Sequence, residues 1–128
     1  MKAIICKNSL SYIGLNNELP WRCSEDLKHF KRLTKGGNLL VGWNTYKGLP
    51  ALPDRELIID YRGTELLDDT IIEEIDWCVG GKKTYEKYCH LFTELHISHI
   101  ENSVIGDTMF PNLSNLNPEC KIFNYYFK

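Results

Sequence analysis

The sequence predicts a single α/β domain, because short apolar runs typical of strands alternate with segments that have helical spacing or helix-start signals. At 128 residues, 43% of them hydrophobic and 25% charged, the chain is long enough for one domain with a modest core. We therefore expect residues 1–128 to fold as one unit. The predicted strands are 3–6, 38–42, 57–59, 77–79, 94–100 and 120–127, and helices are predicted to start near residues 24, 43, 68 and 82.

Composition narrows the class of protein. The net charge is −2 and the basic residues are scattered, so neither a nucleic-acid surface nor a membrane surface is expected. The apolar run at residues 1–7 is too short for a signal peptide, and no stretch is long enough to span a bilayer. Five cysteines without a C-x-x-C pair indicate reduced thiols and a cytoplasmic protein. His96 and His99 would point to opposite faces of a strand, so no metal site is predicted.

Residues 14–21 form a loop that is unusually apolar for a connection. Gly14 allows the left-handed backbone that turns require, and Pro20 fixes the exit from the loop. Leu15, Leu19 and Trp21 can be buried in one state and released in another. The loop is therefore a candidate lid.

The helix that follows carries acidic residues in its first turn. Ser24 is placed to cap it, and Glu25 and Asp26 lie where the helix dipole favours anions. Asp26 borders the stripe predicted to face inward. One interpretation is an ordinary first-turn acid, and the other is an acid held in an apolar cleft to accept two parallel N–H bonds from an N–C–N fork on a ligand. The inward stripe is predicted to be Leu27, Phe30, Leu33 and Thr34.

The order of residues 13–34 resembles the N-terminal signature of dihydrofolate reductase. The resemblance implies that the loop is a mobile lid over the nicotinamide and that Asp26 holds the pteridine ring, with Trp21 and Leu19 assisting catalysis. The backbone of the first strand, at Ile4, Ile5 and Cys6, would then line the site. The matching positions are Ile13, Gly14, Asn17, Leu19, Pro20, Trp21, Asp26, Leu27, Phe30, Lys31 and Thr34.

Two glycine-containing turns resemble the cofactor-binding turns of that family. Gly42 and Thr45 match the first turn, but Trp43 replaces a basic residue. In the second turn two lysines oppose the helix dipole unless an anion sits there, which indicates a phosphate site. The resemblance implies a cis peptide between Gly80 and Gly81. It assigns the cofactor to Cys6, Ile13, Gly14, Gly42, Trp43, Asn44, Thr45, Tyr61, Arg62, Val79, Gly80, Gly81, Lys82, Lys83, Thr84 and Tyr85.

The segment after the third predicted strand bears on the choice between NADPH and NADH. Where the family places small hydroxyl residues for the 2′-phosphate, this chain has Tyr61 and Arg62. Arg62 could pair with that phosphate, whereas Asp60 would repel it or bind a free ribose hydroxyl. We expect NADPH, with NADH as the alternative.

Two further motifs resemble the substrate side of the family's site. Residues 52–55 resemble an L-P-G-R turn with Asp54 in place of glycine, and Arg55 would clamp the glutamate tail of folate or be a solvated arginine. Residues 106–111 resemble a G-D-T-x-F-P loop, in which Asp107 would hydrogen-bond the lid. The substrate residues implied are Ile4, Ile5, Leu27, Phe30, Leu49, Arg55 and Ser98.

The resemblance implies a three-layer fold with a mostly parallel central sheet, flanking helices and an antiparallel C-terminal strand. The chain is shorter than the family pattern at residues 64–75 and near residue 120, where one of two expected strands has no counterpart. Its aromatic last strand would need cover from its own loops or from a second chain. The implied function is NADPH-dependent reduction of dihydrofolate by a monomer, with a dimer through the last strand left open. The alternatives are a structural or ligand-binding protein that keeps the fold, and a reductase of a related pterin or pyrimidine.

Overall fold

The computed structural model describes residues 1–16, 19, 21, 23–50, 52–61 and 63–128. The predictions for Asn17, Pro20 and Arg62 therefore lie outside the described residues. No helix in the described part of the chain is long and apolar enough to cross a bilayer.

Strands and helices alternate along the chain, as the sequence predicts. The strands are β1 (Lys2–Asn8), β2 (Tyr12–Gly14), β3 (Asn38–Gly42), β4 (Glu56–Asp60), β5 (Trp77–Cys78), β6 (Glu94–Ile100), β7 (Thr108–Met109) and β8 (Lys121–Phe127). The helices are α1 (Ser24–Thr34), α2 (Trp43–Gly48), α3 (Asp69–Ile72) and α4 (Lys82–Tyr88), and a 3₁₀ turn (Cys89–Leu91) follows α4.

The central sheet has six strands in the order β4-β3-β5-β1-β6-β8, and its pairs are parallel. Strands β2 and β7 form a separate antiparallel pair. The predicted fold class, a mostly parallel sheet with flanking helices, is confirmed.

The direction of the last strand differs from the prediction. β8 was expected to be antiparallel, but it pairs with β6 in parallel, from Glu94↔Lys121 to Ile100↔Phe127. The segment between the two strands returns to the start of β6, where Lys121 N donates to Thr93 O over 3.1 Å. Because β8 begins beside the beginning of β6, it must run in the same direction.

The two faces of the sheet bury different apolar clusters, because successive side chains on a strand point to opposite faces. One cluster joins Ala3 and Ile5 of β1 to Tyr88 of α4 and to Phe92. The other contains Ile4, Leu39, Val41, Trp77 and Val79, with Phe30 and Leu33 of α1 packed against it.

Helix α1 is rotated relative to the expected stripe. Its fully buried residues are Asp26, His29 and Thr34, whereas Leu27 is 43% exposed, so the prediction that Leu27 faces inward is wrong. The cap prediction is also wrong, since Cys23 is the N-cap residue and Ser24 is the first residue of the helix.

The rotation of α1 covers the aromatic face of β8. The ring of His29 lies 4.1 Å from that of Tyr125 and 5.7 Å from that of Phe127, measured between centroids. On the same face Phe123 stacks on His96 at 4.6 Å. Helix α1 thus covers Tyr125 and Phe127, whereas Phe123 on the same face stays 39% exposed, as do Ile122 and Tyr126 on the other face at 52% and 76%.

Candidate active site

The parallel strands of the sheet end along one edge, and the residues leaving that edge include many of the predicted site residues. β4 is followed by Tyr61, β3 by Trp43, and β5 by Val79 and Gly80. The carboxyl ends of parallel strands are where ligands of open α/β sheets bind. The sheet order therefore places the two glycine-containing turns next to each other.

Asp26 is buried at the start of α1, with 7% of its surface exposed. Burial raises the pKa of the Cys6 thiol on β1, and the charge of Asp26 raises that pKa further, so the two side chains are neighbours. The Trp21 indole lowers the pKa of the same thiol. The fold thus brings Cys6, Trp21 and Asp26 together. Cys6 was assigned to the cofactor from the sequence, and its proximity to the acid was not anticipated.

No ion pair joins Asp26 to a basic side chain within the described part of the chain. Removing a carboxylate from water without a cation is costly, so such groups are found where a ligand or network compensates them. The Nε1 atom of Trp21 is also buried and has no hydrogen-bond partner among the described residues. An anionic acceptor and a polar donor are thus both available beside the first strand.

The first half of the lid is hydrogen-bonded to the loop before β7. Asp107 N donates to Gly14 O and Asn16 N donates to the Asp107 carboxylate, both over 2.9 Å. The bond from Asn16 lowers the pKa of Asp107. Gly106 lies so close that an added Cβ would be 2.3 Å from Gly14 O. Leu19, farther along the lid, is 50% exposed.

Asn8 holds the bases of these two loops together from a position that is 1% exposed. Its amide nitrogen donates to Asn102 Oδ1 over 3.0 Å and to Val104 O over 2.7 Å. Its oxygen accepts from the backbone N–H groups of Leu10 and Tyr12, over 3.1 and 3.0 Å. Both ends of this one side chain are therefore fully used.

The two glycine-containing turns interlock at the ends of β3 and β5. Gly42 N donates to Gly80 O over 2.7 Å, and the Gly80–Gly81 peptide is cis, as predicted. A Cβ on Gly42 would lie 2.5 Å from Thr84 Oγ1, and a Cβ on Gly81 would lie 2.6 Å from Thr45 Oγ1. The glycines are thus required for space. The result is a cradle formed by Gly42, Thr45, Gly80, Gly81 and Thr84.

Helix α4 supplies charge and support next to this cradle. Lys82 and Lys83 open the helix, and neither is paired with an acid in the described ranges. Tyr85 is 5% exposed and donates its hydroxyl to Ile4 O over 2.6 Å, while burial raises its pKa well above the ordinary value. Tyr85 thus connects the cradle to the strand beside Asp26.

Aromatic side chains gather where β3 and β4 end. The ring of Trp43 lies 5.1 Å from that of Tyr61 and 5.8 Å from that of Tyr46, and Lys47 Nζ lies 5.5 Å from the Trp43 ring centroid. Trp43 is 44% and Tyr61 is 68% exposed, and Asn44 is exposed beside them. The sequence provided no signal for the contact between Trp43 and Tyr61, which follow different strands.

Asp60 does not take the role that the sequence left open for it. Its carboxylate accepts from Lys87 Nζ over 2.8 Å and from the Tyr88 hydroxyl over 2.7 Å, and its side chain is 3% exposed. Asp60 is therefore engaged by α4 and is not presented to a ribose hydroxyl.

Arg55 is held against the end of α1. Its Nε donates to Thr34 Oγ1 over 3.0 Å, Nη1 donates to Pro53 O over 2.5 Å, and Nη2 donates to Lys31 O. Asp54 has φ 65°, the left-handed conformation expected where it replaces glycine. A cavity of about 350 Å³ opens nearby and is lined by Tyr46, Lys47, Leu49, Pro50, Leu52 and Leu57.

The remaining substrate candidates lie close to Asp26 in sequence or in the sheet. Ser98 pairs with Cys6 across β1 and β6 and is 1% exposed. Ile4 and Ile5 are buried, whereas Phe30 is partly buried. His29, which the sequence did not single out, is buried one turn after Asp26, and its Nε2 has no hydrogen-bond partner among the described residues.

A parallel sheet that gathers glycine-rich turns and a buried acid at its carboxyl edge defines an α/β protein of the class that binds ligands at strand ends. Comparisons with known proteins identify the family. The dihydrofolate reductase family model matches residues 1–121. The chain therefore belongs to the dihydrofolate reductase family.

Individual relatives agree with this assignment. The dihydrofolate reductase of Buchnera aphidicola subsp. Acyrthosiphon pisum (strain APS) is 31% identical over 142 aligned positions, covering 97% of this chain and 81% of the relative. That of Buchnera aphidicola subsp. Schizaphis graminum (strain Sg) is 29% identical over 132 positions, covering 91% and 79%. Among solved structures, dihydrofolate reductase from Enterococcus faecalis complexed with NADP(H) and RAB-propyl matches with a TM-score of 0.74 and 27% identity, covering 88% of this chain and 77% of that one.

Proposed function

We propose that this protein reduces 7,8-dihydrofolate to 5,6,7,8-tetrahydrofolate with NADPH. The observation that carries the proposal is the buried Asp26 carboxylate, which has no cationic partner among the described residues. A pterin presents an N–C–N fork of N–H donors that fits a carboxylate, and this contact would offset the cost of burying Asp26.

The substrate would lie between α1 and the nicotinamide, with its pterin on Asp26. Leu27 and Phe30 of α1 and Leu49 after α2 offer apolar contacts along this path. Leu27, which is 43% exposed in the first turns of α1, is available for contact with a ligand. Arg55 is fixed by three hydrogen bonds at the end of α1, which pre-orients its remaining N–H groups for the carboxylate of the glutamate tail.

The cradle fits a dinucleotide. Gly42 and Gly81 leave no room for a Cβ against the two threonines, so the two turns can approach each other closely enough to form a single cradle. Lys82 and Lys83 are positioned to offset phosphate charge. When bound, the cofactor supplies the hydride that is added to C6 of the pterin, and N5 of the pterin gains a proton.

The proton would come from water. Asp26 binds the far side of the pterin and influences protonation through that water, while the lid controls its access through Leu19 and Trp21. The bonds from Asn16 and to Gly14 at Asp107 hold the first half of the lid in place, and Leu19 and Trp21 lie beyond these bonds.

The test is dihydrofolate-dependent oxidation of NADPH by the parent and by Asp26→Asn. The amide has the shape of the acid but neither its charge nor its capacity to accept two N–H bonds, so we expect kcat/KM at neutral pH to fall by about 10²- to 10⁴-fold. Glu25→Gln is the matched control, because Glu25 is the preceding residue of the same turn and is exposed.

Each outcome separates the candidate functions. Absence of turnover in the parent, with retained dinucleotide binding, would favour a ligand-binding protein of this fold. Faster turnover of a pterin without the glutamate tail would favour a reductase of another pterin. Equal rates for the parent and Asp26→Asn would remove Asp26 from the mechanism.

We further propose that the protein acts in the cytoplasm as a monomer. The five cysteines are unpaired, which suits a reducing compartment. The outer edge of β8 carries exposed Ile122 and Tyr126, and a dimer through this edge is the alternative that sedimentation would detect.

A further inference from the structure

The aromatic cluster at the ends of β3 and β4 holds a cation. Lys47 lies four residues after Trp43, one turn along α2, and its Nζ lies over the Trp43 ring at 5.5 Å from the centroid. An ammonium over an indole face is attracted by the ring quadrupole, whose face is partially negative. The contact therefore keeps the lysine near the start of α2.

The position of this cation follows from the sheet order. The cradle occupies the ends of β3 and β5, and the next strand outward is β4, which ends at Tyr61. A dinucleotide that crosses the carboxyl ends with its phosphates at the cradle has one half over β5 and β1 and the other over β3 and β4. The Trp43 ring packs against Tyr61, so Lys47 lies near the half of the dinucleotide that would cover β3 and β4.

The charge at this end of the site is favourable for an anion. Asp60, the acid closest to Tyr61 in the chain, is neutralised by Lys87 at 2.8 Å and is 3% exposed. A buried and paired carboxylate repels a nearby phosphate far less than a free one. Lys47 is exposed and can bind a new anion without losing a salt bridge to a described residue.

We propose that Lys47, seated on Trp43, is the residue that recognises the 2′-phosphate of NADPH and discriminates against NADH. This inference rests on the proposed function. It accounts for the replacement of a basic residue by Trp43: the positive charge is supplied one helical turn later, and the indole positions it.

The experiment measures Kd for NADPH and for NADH by titration calorimetry, and KM for each with dihydrofolate saturating, in the parent, Lys47→Met and Lys47→Arg. Methionine keeps the unbranched side chain and removes the charge. We expect Lys47→Met to raise the ratio of KM for NADPH to KM for NADH by about five- to tenfold, and Lys47→Arg to keep the ratio within about twofold of the parent. Raising the salt concentration should weaken NADPH binding more in the parent than in Lys47→Met.

Two comparisons make the result specific. Lys35→Met is the matched control: it removes an exposed lysine at the C-terminal end of α1, and it should leave the ratio of the two KM values unchanged. Arg62→Met tests the arginine that the sequence offers for the same phosphate. The inference is overturned if Lys47→Met changes both KM values equally or changes neither, or if Arg62→Met alone abolishes the preference. A parent that fails to turn over with either cofactor would instead refute the proposed function.

Discussion

Replacing Gly42 by alanine should destabilise the protein by crowding the cradle. Gly42 has φ −74° and ψ 158°, which alanine adopts without strain, so the effect must come from space. The added Cβ would lie 2.5 Å from Thr84 Oγ1, and reaching an ordinary contact of 3.4 Å requires a displacement of about 0.9 Å between β3 and α4. Thr84 is buried and β-branched, so its hydroxyl cannot simply turn away.

The magnitude follows from two opposing effects. Overpacking of this kind costs about 1–3 kcal/mol. The lower entropy of the unfolded alanine chain returns about 0.4–1 kcal/mol. We therefore expect a net loss of about 0.5–2 kcal/mol in the free energy of unfolding, measured by urea denaturation followed by circular dichroism.

A double-mutant cycle with Thr84 tests the stated cause. Thr84→Ala removes the clashing atom, so Gly42→Ala should cost about 1 kcal/mol less in that background. Thr84→Val is the matched control, because it replaces the hydroxyl by a methyl group of similar size and should give no relief. The reasoning is refuted if Gly42→Ala is as stable as the parent, or if alanine and valine at position 84 relieve the cost equally.

Two further predictions concern pH. The pKa of Asp107 should lie below its ordinary 3.8 because its carboxylate accepts from Asn16 N–H. This hydrogen bond should therefore persist as pH falls to 3.8 and be lost only below that pH. The chemical shift of the Asn16 amide in an NMR titration should report this loss, and Asp107→Asn should abolish the response. The pKa of His29 should lie below 6.5 because burial disfavours the imidazolium more than the Asp26 charge favours it. As pH drops below 6.5, the unfolded chain therefore binds this proton before the folded chain does, and the free energy of unfolding should fall. His29→Gln should flatten this dependence, whereas substitution of the exposed His90 by glutamine should not; equal slopes for both variants would contradict the assignment.

Local sequence patterns predicted the six strands of the central sheet because burial on both faces produces apolar runs, but they did not predict the short pair β2 and β7. β3 and β6 have the bounds expected from the sequence. The direction of β8 was not predictable in this way, because it is set by where its start is anchored. That anchor, the bond from Lys121 N to Thr93 O, joins segments far apart in the sequence.

The site was predictable where residue order carried the information. The fixed offsets among Asp26, Phe30 and their neighbours led to the family, and the comparisons confirm that assignment. The helical offsets failed for Leu27 and did not single out His29, because contact with Tyr125 of β8 determines which side of α1 is covered.

The role of Asp60 was misjudged for a similar reason. From the sequence Asp60 was expected to repel the 2′-phosphate or to bind a ribose hydroxyl, whereas Lys87 and Tyr88 reach it from α4. Contacts between separate elements, such as this one and that of Trp43 with Tyr61, have no signature in a single sequence.

The saturated amide of Asn8 has a mechanical consequence for the lid. It donates to the segment after β6 and accepts from Leu10 and Tyr12, so it joins the bases of two loops that Asp107 also connects farther along. An aspartate could not replace it, since two carbonyl acceptors would then face a group without protons. The two loops can therefore separate at their bases only if these four hydrogen bonds break, so Asn8 fixes the point from which both loops leave the sheet.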